Sequence, residues 1–318
     1  MAAYPTLLDI AQSTGTDGIA SLIEEVIKYT PEIQMGAART INGTQYKSTV
    51  RVGLPGVSFR QANLGGLVAK STYEQRLFDA YITDTPWMAD KAVALAHPDG
   101  APAYIATEAK GIVLAQMILL AKQFYYGKPS TPGDNSVPFS DPLGFPGLLQ
   151  MYDAANMTVD AGGTTANTAT SVWAYSWGDE GCQWLYGGGT NPLQMSDITE
   201  VVLPDANGNL ITYYHQQLLA WVGMKLGSLK RAACIKNVTA DSGHTLTDGM
   251  LTDLLSLFPV GYTPDAIFMT RRSMSQLIKS RIAVNASAYV GAVPGFVTDF
   301  DGIPVYRTDS IQNTEALR

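Results

Sequence analysis

The residues that could do chemistry are few and scattered. Three histidines, His97, His215 and His244, stand far apart and none begins an HxxxH or HExxH pattern, so no pair shares a helix face as a metal site requires. Two cysteines, Cys182 and Cys234, form no CxxC and read as buried, inert thiols in a reducing cytoplasm. Gly187-Gly188-Gly189-Thr190 is glycine-rich but lacks the following lysine and helix of a phosphate loop. No G-x-S-x-G elbow is present. Asp179/Glu180 and Asp299/Asp301 could form acid–base pairs, yet each lies beside glycine and reads as part of a turn. Trp173, Tyr175, Trp177, Trp184 and Tyr186 could stack on bases, but at strand period in an acidic chain they read as core and interface. No catalytic constellation emerges, and neither a cofactor nor a metal is expected; the chain reads as a non-enzyme.

What remains is a surface. The 318 residues are 46% hydrophobic and only 15% charged, against about 25% charged in a typical soluble protein. Much of the exterior must then be neutral, a surface poorly protected against association. A net charge of −7 argues against tight binding to nucleic acid, which needs a basic footprint. The opening MAAYPTLLDI has neither the basic region nor the apolar run of a signal peptide. The longest apolar stretch, Gly111 to Ala121, falls short of the roughly 20 residues of a membrane span and reads as a buried helix.

Periodicity then places the elements. Residues 1–18 read as an extended arm, followed by a short helix from Ile19 to Tyr29 that Thr30-Pro31 ends. A helix is predicted over Thr107–Phe124, capped by Thr107, stopped by Gly127 and Pro129, and apolar nearly all round, hence largely buried. A loop follows from Pro129 to Pro146. Strands are predicted at Ser171–Trp177 and Gln183–Tyr186, and Asn207-Gly208 signals a hairpin between Glu200–Leu203 and Leu210–Tyr214. The stretch Leu218–Val238 reads equally as helix or strand. Helices at Met250–Phe258 and Ser273–Ile282 and strands at Ala266–Met269 and Pro304–Tyr306 complete an α+β pattern without βαβ rhythm.

One segment is unusual. From Gln45 to Val52 the side chains alternate, Gly53-Leu54-Pro55-Gly56 supplies a turn, and Val57 and Phe59 alternate again, which predicts a two-stranded hairpin. Between Ile33 and Tyr73 lie five basic residues, Arg39, Lys47, Arg51, Arg60 and Lys70, and no acidic one, which leaves −12 for the rest of the chain. An isolated hairpin is marginal in water. It must lie either on its own domain, with its charges solvated, or on a neighbouring copy; from the residues alone both placements are open.

The order of short motifs carries a resemblance. Tyr4-Pro5-Thr6-Leu7-Leu8-Asp9, Arg51-Val52-Gly53-Leu54-Pro55, Lys70-Ser71-Thr72-Tyr73-Glu74 and Asp90-Lys91-Ala92 precede the long helix, which ends in Tyr126-Gly127. Trp177-Gly178, Tyr186-Gly187, Lys225-Leu226-Gly227, Cys234-Ile235-Lys236-Asn237, Met269-Thr270-Arg271 and Gly302-Ile303-Pro304-Val305 follow. Over nearly its whole length this series resembles the major capsid proteins of tailed bacteriophages, whose HK97-like fold is shared with encapsulins. The resemblance implies an N-terminal arm (1–38), an extended β-hairpin loop (39–69), a peripheral domain with a spine helix (70–135), an axial-domain part or connecting loop (136–170), peripheral-domain strands (171–238) and an axial domain (239–318). It implies a virion subunit, assembled in the host bacterial cytoplasm through pentamers and hexamers into an icosahedral head. Double-stranded DNA would be enclosed without sequence-specific binding, alongside a portal and scaffolding or decoration proteins, with no membrane. An encapsulin-type nanocompartment shell is the alternative. Lys47, Arg51 and Arg60 are then the expected inter-subunit contacts.

Overall fold

The computed structural model describes residues 28–129, 139–188, 193–205, 207–285 and 297–318. The arm of residues 1–18 and most of the helix predicted at 19–29 lie outside them, as does part of the loop between Pro129 and Pro146. In chain order the strands are β1 Ala38–Thr40, β2 Gln45–Gly53, β3 Thr72–Asp79, β4 Tyr81–Asp90, β5 Thr158–Asp160, β6 Thr170–Tyr175 and β7 Cys182–Tyr186. They continue with β8 Leu193–Met195, β9 Thr199–Pro204, β10 Leu210–Leu226, β11 Ala232–Val238, β12 Ala266–Met269, β13 Asp299–Phe300 and β14 Ile303–Arg307. The longest helix runs Ala101–Tyr126; Asp248–Ser256 and Arg271–Asn285 are the other two of more than one or two turns. The mixture is α+β, as the sequence predicts.

Two six-stranded sheets and a separate ribbon organise the molecule. The first sheet has the order β1-β7-β10-β4, with β8 and β9 also paired to β10. The second has the order β13-β14-β12-β6-β11-β5. Its central strands β6 and β12 are buried at every position, which suits a sheet covered on both faces. The ambiguous stretch after Leu218 resolves into the end of β10, a single 3-10 turn at Leu229–Arg231 and β11. The hairpin signal at Asn207-Gly208 holds. There β9 returns into β10, Gly208 takes a positive φ of 86°, and the Asp205 carboxylate accepts from the backbone N–H groups of Asn207 and Asn209, each at 2.8 Å.

The long helix starts six residues earlier than the sequence predicts. Pro102 sits in its first turn, where a missing N–H costs nothing, and the Thr107 hydroxyl donates to the Ala103 carbonyl at 3.0 Å instead of capping. It ends at Gly127, whose φ of +59° and close approach to Gly147 N and Gln150 Oε1 leave no room for a Cβ. The expectation that its middle is buried fails. Its last turns, Ala121 and Phe124–Tyr126, are sealed in the core, whereas Val113, Met117 and Leu119 stay partly in water. On the flank facing the first sheet the Gln116 amide donates to Thr83 Oγ1 on β4 at 2.6 Å. Helix Ala101–Tyr126 is long and apolar enough to cross a bilayer by length and composition alone, yet its C-terminal turns are built into the protein core.

That core joins both sheets at the helix end. Phe124 meets Trp184 of β7 at 5.2 Å between ring centroids and Tyr175 of β6 at 5.3 Å, while Tyr175 stacks on Phe268 of β12 at 4.8 Å and 6°. Of the aromatics read as core and interface, Trp173, Tyr175 and Trp184 are buried in this core, and Trp177 and Tyr186 pack against it partly buried.

The start of the described chain is fastened to its end by a buried acid. Glu32 is fully buried, and Thr308 Oγ1 donates to its carboxylate oxygens at 3.0 and 3.1 Å. Tyr29 and Asp309 exchange two further hydrogen bonds of 2.9 and 3.0 Å beside it. Burial pushes the Glu32 carboxyl from 4.5 up to about 7, with hydrogen bonds from Ser310 and Thr308 opposing and Asp309 adding repulsion. Tyr125 and Tyr175 also face it. Folded chain therefore holds a proton that unfolded chain releases near pH 4.5. The stability this confers is complete below that pH and is lost as pH rises to about 7, amounting to about 3 kcal/mol. Thermal melts of unassembled subunits should show Tm falling between pH 5 and pH 8 in the wild type, by more than in Glu32→Gln. Parallel curves for the two proteins would refute this.

Candidate assembly surface

The positions that could do chemistry are occupied by structure. Asp179 accepts from Arg39 Nη1 at 2.6 Å, and Glu180 from Arg231 Nη2 at 2.6 Å, so both acids of that turn are engaged by the chain's own arginines. Asp301, with φ of 52°, and Gly302 make the turn between β13 and β14. His97 Nδ1 accepts from the Asp99 backbone N–H at 3.2 Å, and His244 Nδ1 lies 2.7 Å from the Ala161 carbonyl. Cys182 and Cys234 are both free and fully buried; burial raises the first thiol and pushes the second up to about 12, so neither is a thiolate near neutral pH. Among the described residues no group of three or more His, Cys, Asp or Glu is placed to hold a metal ion.

The ribbon is real, but its second strand is not the predicted one. β2 pairs with β3, Gln45 opposite Asp79 through Gly53 opposite Thr72, and the Val57–Phe59 stretch forms no strand. The Gly53–Gly56 turn signal opens a long tip, from Leu54 to Ser71, instead of closing a tight hairpin. Alternation at Val57 and Phe59 gave the right period without a partner. Tyr73 to Phe78 has that partner because β3 runs straight on through Ala80 into β4.

The three expected contact residues all lie on this ribbon and are all exposed. Lys47 and Arg51 sit four apart on β2 and so share a face. Arg51 donates to the Tyr73 hydroxyl at 3.1 Å and lies 5.4 Å over its ring. That hydrogen bond and charge lower the Tyr73 phenol from its ordinary value. Arg60 is in the tip and donates to the Leu64 carbonyl at 2.5 Å. They form a line of charge along the ribbon, not a cluster. Arg39 is spent on its own body, at Asp179.

Charge reasoning missed the stronger feature, which is apolar. In the tip, Val57 is 94%, Phe59 108% and Val68 102% exposed, with Leu54 and Leu67 little less so. Gly-Pro punctuation on one side and Gly65-Gly66 on the other was the available sign that these hydrophobics belong to a loop. The ribbon's root, by contrast, is fixed. Lys225 is buried with Nζ 4.9 Å from the Tyr46 ring centroid and 3.7 Å from Asp179, and the Arg39 guanidinium covers Tyr46 at 5.1 Å.

A family model described as major capsid protein GP7 matches residues 15–318. The chain belongs to the major capsid protein GP7 family. A search of curated protein sequences returned no match. Among solved structures, bacteriophage Epsilon15 aligns over 99% of this chain and 97% of its own with a TM-score of 0.72 at 20% identity, which establishes a shared fold. Slighter likenesses include the holo-SrpI encapsulin complex from Synechococcus elongatus PCC 7942, with TM-score 0.47, 8% identity and coverages of 77% and 99%. The capsid of Myoviridae phage XM1 has TM-score 0.45, 10% identity and coverages of 69% and 96%. Neither carries an argument here. As a major capsid protein the chain is a structural subunit of a viral head shell, located in the virion capsid.

Proposed function

We propose that this major capsid protein builds its icosahedral head through pentamers and hexamers, each copy laying its ribbon on an adjacent copy, and that the closed head holds double-stranded DNA. The carrying observation is the ribbon tip. A group of aliphatic and aromatic side chains at nearly full exposure, borne on two strands too few to be stable alone, marks a surface meant to be covered. A ribbon with five basic and two acidic residues between Gln45 and Asp79, on a remainder of charge −10, supplies the complementary partner in every copy. Contacts of this kind, with different patches giving and receiving, close into rings.

On this reading residues 1–38 are the arm, 39–69 the overlapping loop, 70–135 the peripheral domain with Ala101–Tyr126 as spine, 136–170 an axial part or connector, 171–238 further peripheral strands and 239–318 the axial domain. Assembly takes place in the host bacterial cytoplasm, with a portal and scaffolding or decoration proteins as further partners and with no catalysis by the chain. Pairing extends the loop beyond the residue 69 boundary, to Asp79.

The test is charge reversal of Lys47, Arg51 and Arg60 together to Glu. All three are exposed, so melting should be nearly unchanged, each substitution costing within about 0.5 kcal/mol. Each lost contact is worth under about 1 kcal/mol, yet every copy loses all of them at once. Negative-stain microscopy should show few or no closed particles. Wild-type particle yield from the triple variant would overturn the docking ribbon.

A further inference from the structure

Beside the helix Arg271–Asn285 runs an open groove of about 670 Å³ whose charged lining, among the described residues, is entirely positive: Arg271, Arg272 and Lys279. Around them stand the hydroxyls of Thr245, Ser275 and Ser280 and the amide of Gln276, and Ala240 is the sole apolar residue among the described ones in the wall. Arg271, Ser275 and Lys279 are four residues apart on one exposed helix face. Neither Arg271 nor Lys279 forms a salt bridge with a described residue, in contrast to Arg281 on the same helix, which the Asp248 carboxylate holds at 2.7 to 3.0 Å. Arg272 fixes the groove floor: its Nη2 donates to the carbonyls of Thr168 at 2.7 Å and Val238 at 3.2 Å, while its Nε is buried without a hydrogen-bond partner.

We infer that this groove binds the phosphodiester backbone of a nucleic acid. Every lining polar side chain can donate, none is a carboxylate, and the chain as a whole carries −7, so the positive patch is not a by-product of a basic surface. A neighbouring copy is the other source of negative charge. Protein interfaces, however, carry aromatic and aliphatic anchors at their centre, and this groove offers only Ala240; nucleic-acid interfaces are more polar and more positive. The eight helical steps from Arg271 to Lys279 rise about 12 Å, a span of several phosphates at about 3.4 Å of axis each. The contacts are to backbone alone, which suits DNA held without regard to sequence. This inference rests on the reading that the head encloses DNA, and names where the wall would touch it.

The experiment uses the full chain as unassembled subunits, titrated into a fluorescent short DNA duplex and read by anisotropy over a range of salt. Wild type should bind with affinity that falls steeply as salt rises. Arg271→Gln with Lys279→Gln should bind about tenfold more weakly and show a salt slope shallower by about two. Equal binding by variant and wild type, or no binding by wild type, overturns the inference. Displacement of the duplex by inorganic phosphate, but not by chloride at matched ionic strength, would also overturn it by making free phosphate the ligand. Particle formation is scored in parallel by negative-stain microscopy. A variant that loses particles but keeps its DNA affinity would assign the groove to a neighbouring copy and overturn it too. Failure of wild type to form particles would count against the shell assembly alone, since duplex binding is read independently.

Discussion

Glu315→Ala should lower the stability of the unassembled subunit by about 3–5 kcal/mol, the cost of leaving a buried charge without its partner. Glu315 is fully buried and its carboxylate accepts three bonds: from Tyr126 Oη at 2.8 Å, Ser171 Oγ at 2.7 Å and Arg318 Nη2 at 2.8 Å. Arg318 is itself largely buried, and its backbone exchanges bonds of 2.9 and 2.8 Å with the Asn237 side chain. Tyr126 Oη also accepts from the Gln312 backbone N–H at 2.6 Å. The carboxylate thus ties the last described residues to β6 and the end of the long helix, and the Arg318 backbone ties them to β11. Truncating it strands a guanidinium and two hydroxyls at once, each unsatisfied hydroxyl adding about 1–3 kcal/mol in the worst case. Calorimetry of unassembled subunits decides the matter. A Tm within a degree of wild type would show the network to be dispensable.

The second large effect is on assembly. Replacing Val57, Phe59 and Val68 by Ser should leave the unassembled subunit's melting unchanged, because all three already stand in water. It should abolish closed particles at concentrations where wild type forms them. Burying an aliphatic or aromatic side chain gains about 1.5–3 kcal/mol, so three lost from one contact remove roughly 5–9 kcal/mol, when about 1.4 kcal/mol already changes an association constant tenfold. Sedimentation and negative-stain counts read the outcome. Normal particles would show that the tip is not part of the shell contact, and a large drop in subunit Tm would show that it packs on its own chain.

Much of the fold could be read from local signals. Ala266–Met269 is a short apolar run and is strand over those residues; Asn207-Gly208 turns the chain as that dipeptide usually does. Prediction failed where the deciding partner is distant in sequence. Val57 and Phe59 carry the strand alternation, but the ladder belongs to Tyr73–Phe78, which is chosen by continuity with β4 and its pairing to β10. Leu218–Val238 was ambiguous because apolar runs inside a covered sheet have no period of their own. The helix Ala101–Tyr126 looked buried because composition reports what a residue prefers, not whether one chain has enough layers to cover it. The charged residues of the candidate surface were legible as an absence of acids from Ile33 to Tyr73. Glu32 and Glu315 were not, since nothing local distinguishes a buried carboxylate from a solvated one.

Only Ala80 separates β3 from β4, and its N–H is bonded to the Thr44 carbonyl at 2.8 Å. Beyond it, all ten residues of β4 face β10 in one antiparallel register. A tension applied at the ribbon tip along its axis therefore has no slack joint in which to dissipate. It passes into a row of hydrogen bonds lying across the direction of pull, which must yield together and not one after another. Swelling of the wall from within would strain the sheet as a whole, and the ribbon would behave as a tendon rooted in bone.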